Sequence, residues 1–174
     1  MCSSDLASSG KGTISHLAGE LFKVSAGVAM VHVPFRGGGP ALVDLLGGQV
    51  QINFANILSA LPHAKGGRLR ALAVTSGQRN PMAQDLPTIA ESGLPGYEFS
   101  SWFGMLAPAA TPRPVIAKLQ TATAAALRTP ELSERLLREG SEPVGGPPEQ
   151  FTAMVKADIA KWAVVVKQSG MKAE

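Results

Sequence analysis

Between Ser15 and Ser76 the hydrophobic pattern alternates between helical spacing and strand alternation, and Gly or Pro marks each change. Ser15 to Val24 places Leu17, Leu21 and Val24 on one helical face. MVHV, from Met30 to Val33, is a short apolar strand stopped by Pro34. GGGPALVDLLGG is a loop that opens a helix, with Pro40 near its first turn and Gly47-Gly48 at its end. QVQINF alternates like a strand, and NILSALPHAKGG reads as a short helix ended by Gly66-Gly67. LRALAVTS is an apolar strand, expected to be buried on both faces. Strand and helix in alternation predict βαβ units and a mostly parallel sheet, hence an α/β fold.

The second half of the chain is organised differently. After a Pro- and Gly-punctuated stretch from Gly77 to Gly96, SWFGMLAP (Ser101–Pro108) reads as a strand. Thr111 and Pro112 then predict a helix start, with Thr as N-cap and Pro in the first turn. The buried face of that helix would be Val115, Ile116, Leu119 and Leu127. TPELSERLLREG repeats the device, from Thr129 and Pro130 to Gly140. In the last and longest helix, Phe151, Val155, Ile159, Trp162 and Val166 form a stripe at spacings of 4, 4, 3 and 4. Such stripes need a sheet to cover, and this chain supplies few strands for them. A covering surface is therefore expected elsewhere, in a segment outside this sequence or in another subunit.

Composition excludes several classes. With 174 residues, 45% hydrophobic and 17% charged, the chain is globular rather than disordered. The net charge of +3 is scattered without a basic run, so nucleic acid is not an expected partner. No apolar stretch reaches the roughly 20 residues needed to cross a bilayer. The opening MCSSDLASSGKG lacks a basic-then-apolar leader, which taken alone predicts the cytoplasm. Cys2 is the single cysteine, which rules out an internal disulfide and a cysteine-based metal site.

Two loops carry the functional signal. In SSGKGTISHLAGELF, Ser8, Ser9, Gly10, Gly12 and Thr13 run straight into a helix. Amides at such a terminus point outward and the helix end carries partial positive charge, which suits a carboxylate or phosphate. A plain N-cap turn fits the composition equally well. The P-loop pattern fails, and Ser15 stands where a dinucleotide motif needs its third glycine. Arg36 and Gly37 to Gly39 end the second strand and open the next helix in the same way, with Arg36 as readily solvated surface as a ligand contact. Loops at the C-terminal ends of strands are where open α/β sheets build a crevice. His16, in the first turn after the first loop, could donate to a bound anion or serve as a local hydrogen-bonding residue. His32 sits in an apolar strand and reads as structural. His16, His32 and His63 lack metal-ligand spacing, and neither a nucleophile elbow nor paired carboxylates occur, so nothing calls for catalysis, a metal or an organic cofactor.

SSGKGTISHLAGELF, HVPFRGGGPALVDLLGGQV, SALPHAKGGRLRALAVTS, DLPTIAESGLPGYE, SWFGMLAPAATP and EPVGGPPEQF, in that order, resemble the tripartite tricarboxylate transporter receptors, the Bordetella-uptake-gene type of periplasmic solute receptor. The resemblance runs from about Ala7 to the C-terminus. It implies a periplasmic-binding-protein-like (type II) fold: a second α/β lobe over residues 7–99, and a return segment over 100–174 that belongs to the first lobe. It also implies capture of a small organic carboxylate (a di- or tricarboxylate, amino acid or aromatic acid) for membrane transporter subunits, in the periplasm and without metal or cofactor. Ligand contacts would come from the Ser8–Thr13 loop with His16, from Phe35 to Gly38, and from Asn56. Alanine at 55, where many members carry Asp, removes an acidic contact for amino-bearing ligands.

Measured against the family, a leader and most of the first lobe are expected ahead of the SSG loop. TGC-TCT-TCC-GAT-CTN would encode CSSDL and resembles a sequencing-adapter end, so residues 1–6 are expected to be foreign. The lobe crossings are expected near Ala73–Ser76 and Trp102–Pro108, with Trp102 filling the hinge core in preference to stacking on the ligand. Rival readings are an enzyme on the same scaffold, an effector-binding regulatory or sensor module, and a fragment that binds nothing measurable by calorimetry.

Overall fold

The computed structural model describes residues 4–171; Cys2 and the start of MCSSDL lie outside the described residues. Three parallel strands form one sheet in the order β2-β1-β3. They are β1 (Ser4–Ser8), β2 (Met30–Pro34) and β3 (Ile52–Asn53). On one edge Ser4 stands opposite Met30 and Ser8 opposite Pro34; on the other Leu6 and Ala7 face Ile52 and Asn53. The central strand begins at Ser4, ahead of the Ala7 boundary expected from the sequence. Its five residues, SDLAS, are too few and too polar for the period to register.

Helix α1 (Ile14–Ala26) and helix α2 (Gly38–Leu46) cover opposite faces of this sheet. Pleating sends Leu6 and Ala7 to different sides, and both are fully buried. Leu6 lies against Gly19 of α1, where any larger side chain would run into it. Ala7 clusters with Ala41 of α2 and Val50, flanked by Val33, Phe35 and Leu45. The inner face of α1 packs Ala18 with Ile89, Tyr97 and Phe99, and Leu17, Leu21 and Phe22 border that cluster. The buried Tyr97 hydroxyl donates to the Ala18 carbonyl at 3.0 Å. Helix α3 (Ile57–Lys65) follows β3.

Several expected strands do not form. QVQINF pairs only through Ile52–Asn53. In LRALAVTS, Val74 alone makes a bridge, parallel to Thr88, and Leu72 is 66% exposed. SWFGMLAP forms no ladder, and Phe103 is 92% exposed. These runs have the composition of buried strands, but a strand also needs hydrogen-bonding neighbours. Among the described residues no strand lies beside them.

The chain divides into two compact units: residues up to Ser101 with those from Trp162 onward, and Trp102–Lys161. The second holds α4 (Arg113–Leu127), α5 (Pro130–Arg138) and the first part of α6 (Pro148–Ser169). At α4 the N-cap is Pro112 rather than Thr111. At α5 Thr129 is the N-cap, but its hydroxyl donates back to the Ala126 carbonyl, so the side chain caps nothing. The face expected to be buried on α4 is only partly covered: Val115 is 46% and Leu119 42% exposed, while Ile116 and Leu127 are half-buried. Trp102 is 42% exposed rather than core; it donates to Asp158 Oδ2 at 2.6 Å and meets Phe151 edge-on. Among the described residues no helix is long and apolar enough to cross a membrane.

Candidate functional site

Parallel strands end on the same edge, so the loops after β1, β2 and β3 emerge side by side, with the β1 loop in the middle. The first two loops are hydrogen-bonded to each other. Phe35 N–H donates to the Ser8 carbonyl at 3.0 Å, and Gly37 N–H donates to the Ser9 carbonyl at 3.2 Å. Gly10 has φ +136°, and a Cβ there would sit 3.4 Å from the Phe35 carbonyl oxygen. The positive φ is what requires glycine there; the second loop lies at ordinary contact distance from where a Cβ would sit. Ser8, Ser9, Gly10, Gly12, Thr13, Phe35, Arg36, Gly37 and Gly38 are thus brought to one edge. Asn56 follows β3 at the same edge and caps α3, its Oδ1 accepting from Leu58 N–H at 2.9 Å.

Most of the first loop's own donors face inward. Ser9 N–H donates to Ser15 Oγ at 2.9 Å and Gly10 N–H to Ser8 Oγ at 3.2 Å. Gly12 N–H donates to His16 Nδ1 at 3.0 Å, and the Thr13 hydroxyl to the Gly10 carbonyl at 2.7 Å. Ser8 is fully buried. These bonds shape the loop rather than offer it to a ligand. A helix leaves its first amides without intrahelical acceptors. In α1 these belong to Ile14, Ser15 and His16; in α2 they belong to Gly38 and Gly39, since Pro40 has no N–H. Two helix N-termini therefore meet at one edge, where their dipoles favour a negative charge. Arg36 is exposed beside them and makes no ion pair with a described residue.

Beneath the loop lies a polar group that sequence patterning did not reveal. His32 on β2 is the register partner of Leu6 and so faces α1. Its ring stacks on His16, with centroids 3.6 Å apart and planes 8° apart. His32 Nε2 and Ser8 Oγ are 2.6 Å apart. Because His16 Nδ1 accepts a hydrogen bond, its proton is on Nε2, which faces Glu20 Oε1 at 3.5 Å. Glu20 is buried and holds Lys23 Nζ at 2.8 Å. Burial lowers the His16 pKa from its ordinary value. Burial, then the adjacent His16, push His32 down to about 4. A lone histidine inside the apolar MVHVP run was the available hint. Its partner Ser8 is 24 residues away and could not be read from spacing. Among the described residues no His, Cys, Asp or Glu group could hold a metal ion.

Comparison with known proteins places the chain in a family and a fold. The tripartite tricarboxylate transporter family receptor pattern matches residues 4–171. BugT of Bordetella pertussis is 37% identical over 161 residues, covering 92% of this chain and 49% of BugT. The solved structure of R. palustris Rpa4515 with adipate matches with a TM-score of 0.84 at 40% identity, over 97% of this chain and 56% of that one. MatC from Rhodopseudomonas palustris with bound malate matches with a TM-score of 0.74 at 33% identity, over 94% of this chain and 56% of MatC. The chain spans about half the length of the curated relatives it matches. The α/β fold class expected from the sequence is the one observed, and these neighbours share it. Across nearly all of its described length, this chain belongs to the tripartite tricarboxylate transporter family of receptors.

Proposed function

We propose that this chain is the carboxylate-gripping part of a periplasmic solute receptor, which passes a small organic acid to membrane transporter subunits. The observation that carries the reading is the hydrogen-bonded pair of loops, which sets the first turns of α1 and α2 at one sheet edge. Amides there can hold both oxygens of a carboxylate, and no bond need be made or broken. Support comes from neighbours whose structures contain adipate and malate. Residues 7–99 would act as the second lobe and residues 100–174 as the return segment. Arg36 would add charge at the rim, and Ala55-Asn56 would border the pocket from the third loop.

Donors from a facing lobe would complete such a site, so this chain alone should bind weakly. Calorimetry with adipate is expected to be flat. An NMR titration with millimolar adipate is expected to move the amides of Ile14, Ser15, His16, Gly38 and Gly39. The neutral diamide of the same acid should leave them in place. Shifts confined to other regions, or equal shifts with the diamide, would overturn the reading.

A further inference from the structure

We propose that His16 and His32 are positioning residues for the carboxylate grip: as a stacked neutral pair they hold the Gly10–Thr13 loop in shape, and a proton on His16 Nδ1 releases it. The inference rests on the receptor reading of the same loop. The bonds run in sequence from strand to loop. His32 Nε2 meets Ser8 Oγ at 2.6 Å, and Ser8 Oγ accepts from Gly10 N–H at 3.2 Å. His16 Nδ1 accepts from Gly12 N–H at 3.0 Å. The two rings clamp both ends of the turn that leads into the first amides of α1.

Protonation undoes this by simple valence. An imidazolium has N–H on both nitrogens, so His16 Nδ1 can no longer accept, and two N–H groups are forced to face each other. Rings stacked at 3.6 Å also resist carrying charge together. The groups facing His16 are Glu20 and Lys23 from its own helix, Lys11 from the loop, and His32 from β2, whose Nε2 in turn meets Ser8 of β1. Glu20 favours the charged ring, but it is already paired with Lys23. Burial, Lys23 and Lys11 oppose it, and burial is the largest effect. The loop is therefore expected to stay fastened at neutral pH and to open in acid, below the ordinary histidine range.

The test uses the isotopically labelled 174-residue chain. Ring nitrogen shifts should show His16 bare at Nδ1 near neutrality, and acid should protonate that nitrogen and lower the Gly12 protection factor, taken relative to the intrinsic exchange rate at each pH, in one step. His16→Asn keeps an acceptor near the Nδ1 position without a proton to gain. It should retain Gly12 protection and lose its acid dependence. His16→Leu should speed Gly12 exchange about tenfold, the equivalent of one hydrogen bond. His32→Phe keeps a flat ring against His16 but drops the bond to Ser8, and it should loosen Gly10 more than Gly12. With adipate as probe, the wild-type to His16→Asn affinity ratio should fall in acid; taking the ratio removes the titration of adipate itself. A proton on His16 Nδ1 at neutral pH, or His16→Asn behaving like His16→Leu, would overturn the proposal. If the loop responds to pH as described but adipate shifts nothing at any pH, the positioning role stands and the receptor reading fails.

Discussion

In the unit that contains the sheet, Leu6, Ala7 and Ala41 are wholly out of water. From Trp102 to Lys161 no described side chain is buried, and Phe103 and Leu106 are 92% and 82% exposed. Both stretches show the apolar periodicity of core-forming elements. Periodicity identifies which face of an element is apolar; what covers that face is a separate fact. Helix α6 shows both outcomes along one rod. Ile159, in the stretch before Lys161, is 64% exposed. Val165 is buried, and Trp162 meets Phe99 edge-on at 5.1 Å.

The sharpest way to break this contrast is a matched pair of truncations. Leu6→Ala should cost about 3 kcal/mol, as for a fully buried leucine whose neighbours cannot collapse. Leu119→Ala, at an exposed position on α4, should cost less than about 1 kcal/mol. Urea unfolding of each variant checks both; equal losses would mean that the second unit has a core after all.

Acid should weaken the sheet unit next. His16 and His32 take up protons at lower pH when folded than when unfolded, so the unfolded chain binds more protons between about pH 6.5 and pH 4. Stability from this source is fully present above the ordinary histidine value of 6.5 and falls as pH drops toward about 4. Thermal melts across that range should show the loss in wild type and a smaller one in His16→Asn.

Smaller effects sharpen the comparison further. Tyr97→Phe removes the bond to the Ala18 carbonyl and should cost about 1 kcal/mol by urea titration. Asn56→Ala removes the α3 cap, and hydrogen exchange at Leu58 should rise in step with a loss of up to about 1 kcal/mol. Phe103→Ser, at a nearly fully exposed site, should leave the unfolding midpoint within about 0.5 kcal/mol of wild type.

The helices were readable because their apolar residues recur locally: α1, α2 and α3 all lie where the pattern put them. The convergence of the two glycine-rich loops was readable too, since parallel strands leave it little freedom. β1 was missed because its burial comes from its central position and not from its composition. LRALAVTS and SWFGMLAP were assigned as strands on residue chemistry alone, although a ladder depends on the neighbour as much as on the strand. At the site, the sequence marked two loops that the structure brings together, and the bonding within the first loop could not be read from it. The Gly10 and Gly12 amides donate to Ser8 Oγ and His16 Nδ1. That bonding depends on pairings across β1, β2 and α1, which no local window contains.

The backbone bonds from Phe35 to Ser8 and from Gly37 to Ser9 weld the two loops into one clasp. Adding or deleting a residue in either loop would throw both out of register. On the receptor reading proposed above, retuning toward a different acid would fall to side chains outside these backbone bonds, such as Arg36 on the second loop and Ala55 after β3. Under that reading the backbone that meets charge would be mechanically locked, while the side chains that choose among charged molecules would be free to drift.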